Sequence, residues 1–177
     1  MAVRKLHAAE RGSTPFKSRQ KGFDDLRTTP DISLRMGLVR QQGTRPELIV
    51  RKIATLIGLR YRTHNRDLPG TPDLANRSRR FAVQVMGCFW HRHPGCPKST
   101  VPKANHAFWL QKFQRNCARD RTTQRALRQA GFQTVVIWEC ETRNPAIVKR
   151  RLAPLLRATT LRRRTKKSRR ASPGPGQ

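Results

Sequence analysis

The sequence predicts a mixed α/β fold, a sheet covered by helices. Residues 44–58 carry helix start and stop signals, apolar runs at 81–86 and 132–138 read as strands, and residues 105–130 read as a helix between them. Thr44 and Glu47 have the spacing of a capping box, and Pro46 suits a first turn. Ile49, Ile53, Leu56 and Ile57 then recur at helical spacing until Gly58, a C-terminal stop. Residues 59–62 read as a short strand, and Leu68-Pro69-Gly70-Thr71-Pro72 is a turn by composition. Asp73-Leu74-Ala75 opens a second strand, residues 76–79 turn the chain back, and residues 81–86 form a mostly apolar central strand. The helix at 105–130 has Phe113, Cys117, Leu127 and Ala130 among its apolar positions and stops at Gly131. Residues 132–138 are the clearest strand, and Asn144-Pro145 caps a last amphipathic helix through Leu156. The expected order is α-β-β-β-α-β-α.

The 177 residues carry 39 Lys and Arg against 10 Asp and Glu, a formal charge of +29. Such a surface repels itself unless a polyanion neutralises it, so nucleic acid is the leading partner, ahead of an anionic membrane surface. No apolar run reaches the length of a membrane span, and the N-terminus has no secretory core. Residues 1–30 read as a loose basic extension, 31–156 as the folded domain, and 157–177 as a disordered basic tail. In that tail Arg162, Arg163 and Arg164 begin a run suited to phosphate contacts. Four cysteines without a signal point to a reducing compartment, where metal ligands or buried thiols outnumber disulfides.

Cys88, His91, His93 and Cys96 follow the central strand closely, and Cys140 lies just beyond the last one. Adjacent strand ends would let Cys88, His93, Cys96 and Cys140 form a closed Cys₃His tetrahedron, the usual form of structural zinc. Three buried thiols and a surface histidine are the plainer alternative. Cys117, four positions after Phe113, reads as a core thiol, and His91 is left free for acid–base work. Asp73 follows Pro72 and precedes Gln84-Val85-Met86 on the next strand. This is the layout of the restriction-endonuclease-like Pro-Asp…(Asp/Glu)-x-Lys nucleases, in which a carboxylate binds Mg²⁺ against a scissile phosphate, with Glu-x-Lys degenerated. Asp73 also has a plain reading as a turn residue, and Glu47 as a capping residue.

Asp67-Leu68-Pro69-Gly70-Thr71-Pro72-Asp73, Gly87-Cys88-Phe89-Trp90-His91-Arg92-His93, Phe108-Trp109 with Asn116 and Arg119-Asp120, and Trp138-Glu139-Cys140 occur in that order. The chain resembles the very-short-patch-repair (Vsr) DNA mismatch endonucleases over roughly residues 33–142. The resemblance implies that Asp73 and the Val85 carbonyl hold catalytic Mg²⁺. It makes His91 the base and Glu47 a supporting carboxylate, with Cys88, His93, Cys96 and Cys140 binding structural Zn²⁺. Phe89, Trp90 and Trp109 would wedge beside a T:G mismatch, Asn116 would belong to the DNA-binding set, and Met36 would approach from the other groove. The implied activity is a nick 5′ to the thymine of a T:G pair in double-stranded DNA, initiating very short patch repair. The setting would be a monomer in bacterial cytoplasm, associated with the nucleoid, with mismatch-repair proteins as partners. Met86 stands where the family usually has histidine, and it cannot donate a hydrogen bond or carry charge. That departure leaves two other readings: a restriction-type or damage-specific endonuclease of the same fold, or a catalytically weakened zinc-bearing DNA-binding protein.

Overall fold

The computed structural model describes residues 42–156 together with Leu34 and residues 37–39. Met36, Arg162, Arg163, Arg164 and the two expected terminal extensions lie outside the described residues. The elements are α1 (Arg45–Leu56), β1 (Leu74–Asn76), β2 (Phe81–Met86), α2 (His106–Gln129), β3 (Gln133–Trp138), a 3₁₀ turn (Glu139–Arg143) and α3 (residues 145–156). The sheet order is β1-β2-β3. β1 runs antiparallel to β2, with Leu74 opposite Val83, and β3 runs parallel, with Met86 opposite Trp138. No helix among the described residues is long and apolar enough to cross a membrane.

β2 is apolar because both of its faces are covered, as for a central strand with a parallel neighbour. Phe81 and Val83 pack with Val50, Ile53 and Ala54 of α1 and with Val148, Leu152 and Leu155 of α3. Ala82 faces the other way, onto Ala75, Leu127 of α2 and Phe132. Gly58 and Gly131 end their helices at φ +75° and +77°, conformations that only glycine adopts freely. Asn144 caps α3, its Oδ1 accepting the Ala146 N–H at 3.0 Å.

Two local expectations change. Residues 59–62 do not form a strand: only Arg62 pairs, bridging Ala75 through bonds of 2.8 and 3.0 Å. The Arg60 carbonyl accepts instead from Asn76 Nδ2 at 2.7 Å, and the Tyr61 hydroxyl turns back to the Arg51 carbonyl at 3.1 Å. These contacts satisfy the segment without a ladder, so the sheet has three strands. The capping box at Thr44 is not reciprocal either. The Thr44 hydroxyl donates to Glu47 Oε1 at 2.8 Å, and the Gly43 N–H, not that of Thr44, donates to Oε2 at 2.9 Å.

The turn before β1 is held from two sides. Asn65, itself buried, donates through Nδ2 to the Arg62 carbonyl at 2.9 Å and to the Pro72 carbonyl at 3.0 Å. Gly70 and Thr71 both have positive φ, +67° and +47°, and a Cβ on Gly70 would run into the Thr123 side chain on α2. Gly70→Ala should therefore lose about 1–2 kcal/mol from backbone strain and a further ~1–3 kcal/mol from overpacking. Adding Thr123→Ala should restore part of the second loss and none of the first. Urea unfolding of both variants checks this, and a Gly70→Ala protein as stable as its parent would refute the docking of the turn on α2.

Candidate active site and cysteine–histidine cluster

The parallel register brings the cysteines together. Met86 and Trp138 lie side by side at the ends of β2 and β3, and Cys88 and Cys140 each follow two residues later. The chain then turns, with the His91 N–H bonded to the Gly87 carbonyl and the His93 N–H to the Cys88 carbonyl. The ligand atoms of Cys88, His93, Cys96 and Cys140 all lie within 4.8 Å of one another. His93 Nδ1 is 3.6 Å from Cys88 Sγ and 3.3 Å from Cys140 Sγ. Zinc–sulfur and zinc–nitrogen bonds of about 2.3 and 2.0 Å give a tetrahedron with edges of about 3.5 Å, so the donor set fits zinc. Trp138 stacks on the His93 ring at 4.2 Å, and Lys98 bonds Glu139 at 2.5 Å, tying the two ligand segments together.

Burial and mutual proximity shift the thiols in different directions. Burial pushes the Cys88 thiol up to about 12, with the neighbouring Cys140 and Cys96 thiols adding to it. Burial also raises Cys140, whereas the Lys98 backbone N–H leads the lowering of Cys96. Three adjacent thiolates repel one another unless a cation neutralises them, and a coordinated metal reverses this order outright. Cys117 stands apart from the cluster. It is half-buried rather than a core thiol, and its Sγ points to the His91 carbonyl at 3.7 Å, because that face of α2 meets the turn after β2.

The antiparallel pairing of β1 with β2 sets Asp73 at the other side of the same strand end. Asp73 Oδ2 accepts the Val85 N–H at 2.7 Å. Residues that pair across an antiparallel ladder direct N–H and C=O to the same side, so the Val85 carbonyl also faces the Asp73 side of β2. The Asp73 carboxyl is pushed up to about 6, first by burial and further by the negative charge of Glu47, while the Val85 N–H and Arg51 oppose the shift. Glu47 is buried in the first turn of α1 and bonds Arg51 Nη2 at 3.3 Å. It organises the helix start, and it places a second negative charge near Asp73.

His91 points away from the cysteine cluster, its Nδ1 2.6 Å from Asp120 Oδ2 on α2. Asp120 is the site residue to which sequence reasoning gave no role. Its available signal was a carboxylate on a helix otherwise rich in arginine, next to Arg119. Arg92 between the two histidines has φ +53°, and this left-handed residue lets His91 and His93 face different sites. The buried Met86 borders a groove with His91 and Asp120. Phe89 packs edge-on against Trp90, Trp109 and Phe113 at 5.1–5.3 Å between centroids. Phe113 is buried while the other three are half-buried. The amide of Asn116 is engaged within the protein, Nδ2 donating to the Trp90 carbonyl at 3.0 Å and Oδ1 accepting from Arg119.

A family model described as DNA mismatch endonuclease Vsr matches residues 24–98. The chain is 39% identical over 133 residues to a type II nicking enzyme, V.NmeAIP, of Neisseria meningitidis, covering 75% of this chain and 94% of the relative. It is 42% identical over 121 residues to V.XorIIP, a type II nicking enzyme of Xanthomonas oryzae pv. oryzae, covering 68% of this chain and 88% of the relative. It is 34% identical over 116 residues to DNA mismatch endonuclease Vsr of Escherichia coli, covering 64% and 74%. With this identity over nearly the full length of one relative, the chain belongs to the Vsr endonuclease family and is a DNA phosphodiester hydrolase.

Proposed function

We propose that this protein nicks one strand of duplex DNA 5′ to the thymine of a T:G mismatch, on a restriction-endonuclease-like core, and so initiates very short patch repair. Two observations support this reading: Asp73 is bonded to the Val85 N–H near the end of β2 with the charge of Glu47 close by, and the turn after the strand carries the His91–Asp120 pair. A buried carboxyl held near 6 beside a second carboxylate is a site that a cation would relieve. Asp73 and the Val85 carbonyl would hold Mg²⁺, which supplies charge neutralisation on the phosphate during displacement. With Asp120 ionised, His91 keeps its proton on Nδ1 and presents Nε2 as the base. Nε2 takes a proton from water as the water oxygen bonds to phosphorus and the bond to the leaving deoxyribose oxygen breaks.

The cysteine–histidine cluster supports a structural zinc that fixes the peptide carrying Phe89, Trp90 and His91. Phe89, Trp90 and Trp109 would stack into a weakly paired step, and Asn116 would hold the Trp90 peptide from behind. The Neisseria and Xanthomonas relatives, named as type II nicking enzymes, favour the second reading, a restriction-type endonuclease of the same fold. Mg²⁺-dependent nicking of matched and T:G duplexes in varied context separates the two. In that assay Asp73→Ala should abolish cutting with DNA affinity nearly intact, and His91→Ala should slow single-turnover cutting by about 10²–10⁴-fold. Normal nicking by Asp73→Ala would end the active-site reading.

The zinc assignment is checked by metal analysis and thermal unfolding. Purified protein should hold one zinc, Cys140→Ser should lose the metal and much of the fold, and Cys117→Ser should keep both. Equal effects of the two substitutions would count against the cluster.

The raised Asp73 pKa sets a pH dependence of definite sign. The folded, cation-free protein binds a proton that the unfolded chain has released between pH 3.8 and about 6. Cation-free stability from this group therefore falls as pH rises through that window. Cation binding needs the ionised form, so apparent Mg²⁺ affinity should weaken about tenfold per pH unit below 6 and level off above it. Magnesium titrations of nicking between pH 5 and 8 measure the trend, and a flat profile would contradict it.

A further inference from the structure

A groove of about 590 Å³ opens beside His91 and Asp120 and is lined further by α2, β3 and α3. β3 is an edge of the sheet, so no strand among the described residues fills that side. Four of the lining side chains are arginines. Arg92 is committed to the Ser99 carbonyl and Arg151 to Glu141. Arg121 on α2 and Arg150 on α3 are exposed, and neither has a hydrogen bond or ion pair among the described residues. The one carboxylate in the lining, Asp120, is taken up by His91. The groove thus holds uncompensated positive charge from two helices, next to apolar surface from Val136 and Trp138.

Basic groups beside apolar surface suit a strand of nucleic acid, whose phosphates meet the arginines while its bases leave water. The volume suits a ligand of one or two nucleotides and is too small for a duplex. The chain's own C-terminal stretch is no rival, because it has no acidic residue after Glu141 and is repelled by the same charges. The chemistry next door supplies such a strand. As the water activated by His91 bonds to phosphorus, the ester bond opposite breaks, and the phosphate stays on the strand end beside His91. That end becomes a phosphomonoester, which carries more negative charge than the diester it replaces.

We propose that the groove is a product site: it holds, unpaired, the phosphate-bearing strand end that the nick releases, with Arg121 and Arg150 on its phosphates. The inference rests on the reading of His91 as the base and goes beyond it, because it adds a binding site that neither the aromatic wedge nor the cation residues form. Retention there keeps the nicked end from pairing again and makes product release slow relative to the cut.

Fluorescence anisotropy of labelled tetranucleotides on the zinc-loaded full chain tests this without turnover. One of the 5′- and 3′-phosphorylated forms should bind at least about tenfold more tightly than the unphosphorylated form. Arg121→Ala with Arg150→Ala should lose that gain. Arg125→Ala with Lys149→Ala removes the same charge from exposed positions of the same helices outside the groove, and should keep it. Cys117 lines the groove, and zinc occupies the other three thiols, so the bound phosphorylated tetranucleotide should also slow alkylation of Cys117 by a maleimide. The proposal fails if neither phosphate raises affinity, if the two double variants lose affinity equally, or if an acidic tetrapeptide binds and protects Cys117 as well as the nucleotide does. If the tetranucleotide results hold while His91→Ala nicks at the parent's rate, the base assignment falls and the groove remains a strand-end site.

Discussion

The C-terminal end of β2 is the constraint on which the molecule depends. A strand covered on both faces cannot shift register without exposing Phe81 and Val83 or burying charge, so its end is a fixed point. From that point the Val85 N–H holds Asp73 on one side, and the parallel partner delivers Cys140 on the other. The turn after Gly87 supplies Cys88, His91 and His93 in succession. Neither α1 nor α2 could hold a site alone. They bring Glu47 and Asp120 to positions that β2 has already determined.

Electrostatics gives the two halves of this region a common character in an otherwise cationic protein. One half clusters three thiols, the other sets a buried carboxyl near a second carboxylate, and each is uncomfortable without a positive ion. The ions they suit differ. Sulfur and imidazole donors in a tetrahedral set suit zinc, whereas carboxylate oxygens suit a hard cation. Separation of the two sites within a few residues of chain depends on the left-handed Arg92. Its strain is offset by its guanidinium, which donates to the Ser99 carbonyl at 2.6 Å and lies over the Phe113 ring.

Features with local causes were legible in the sequence. Gly58, Gly131 and Asn144 end or begin helices through their own backbone and side-chain chemistry, and the structure keeps all three roles. The joining of Cys140 to Cys88 was legible as two strand ends, although spacing alone could not supply the parallel register that makes them neighbours. Residues 59–62 misled because their apolar and aromatic pattern suits a strand, while distant partners, Asn76 and the Arg51 carbonyl, take up their polar groups. Cys117 misled because helical spacing gives the direction of a side chain and not what lies opposite. The pairing of Asp120 was hidden for the same reason, its partner His91 lying 29 positions away.

The alternation at Arg92 has a consequence for how this segment can change. Two histidines separated by one residue on an extended strand would face the same way, and here they face opposite ways because the intervening backbone reverses. Removing or inserting one residue between them would therefore lose that reversal, and the two rings could no longer serve the thiols and Asp120 at once. An insertion at Pro94-Gly95, beyond both histidines, moves Cys96 alone and leaves the alternation untouched. The stretch from Gly87 to His93 thus joins the thiol cluster to Asp120 only at its present length.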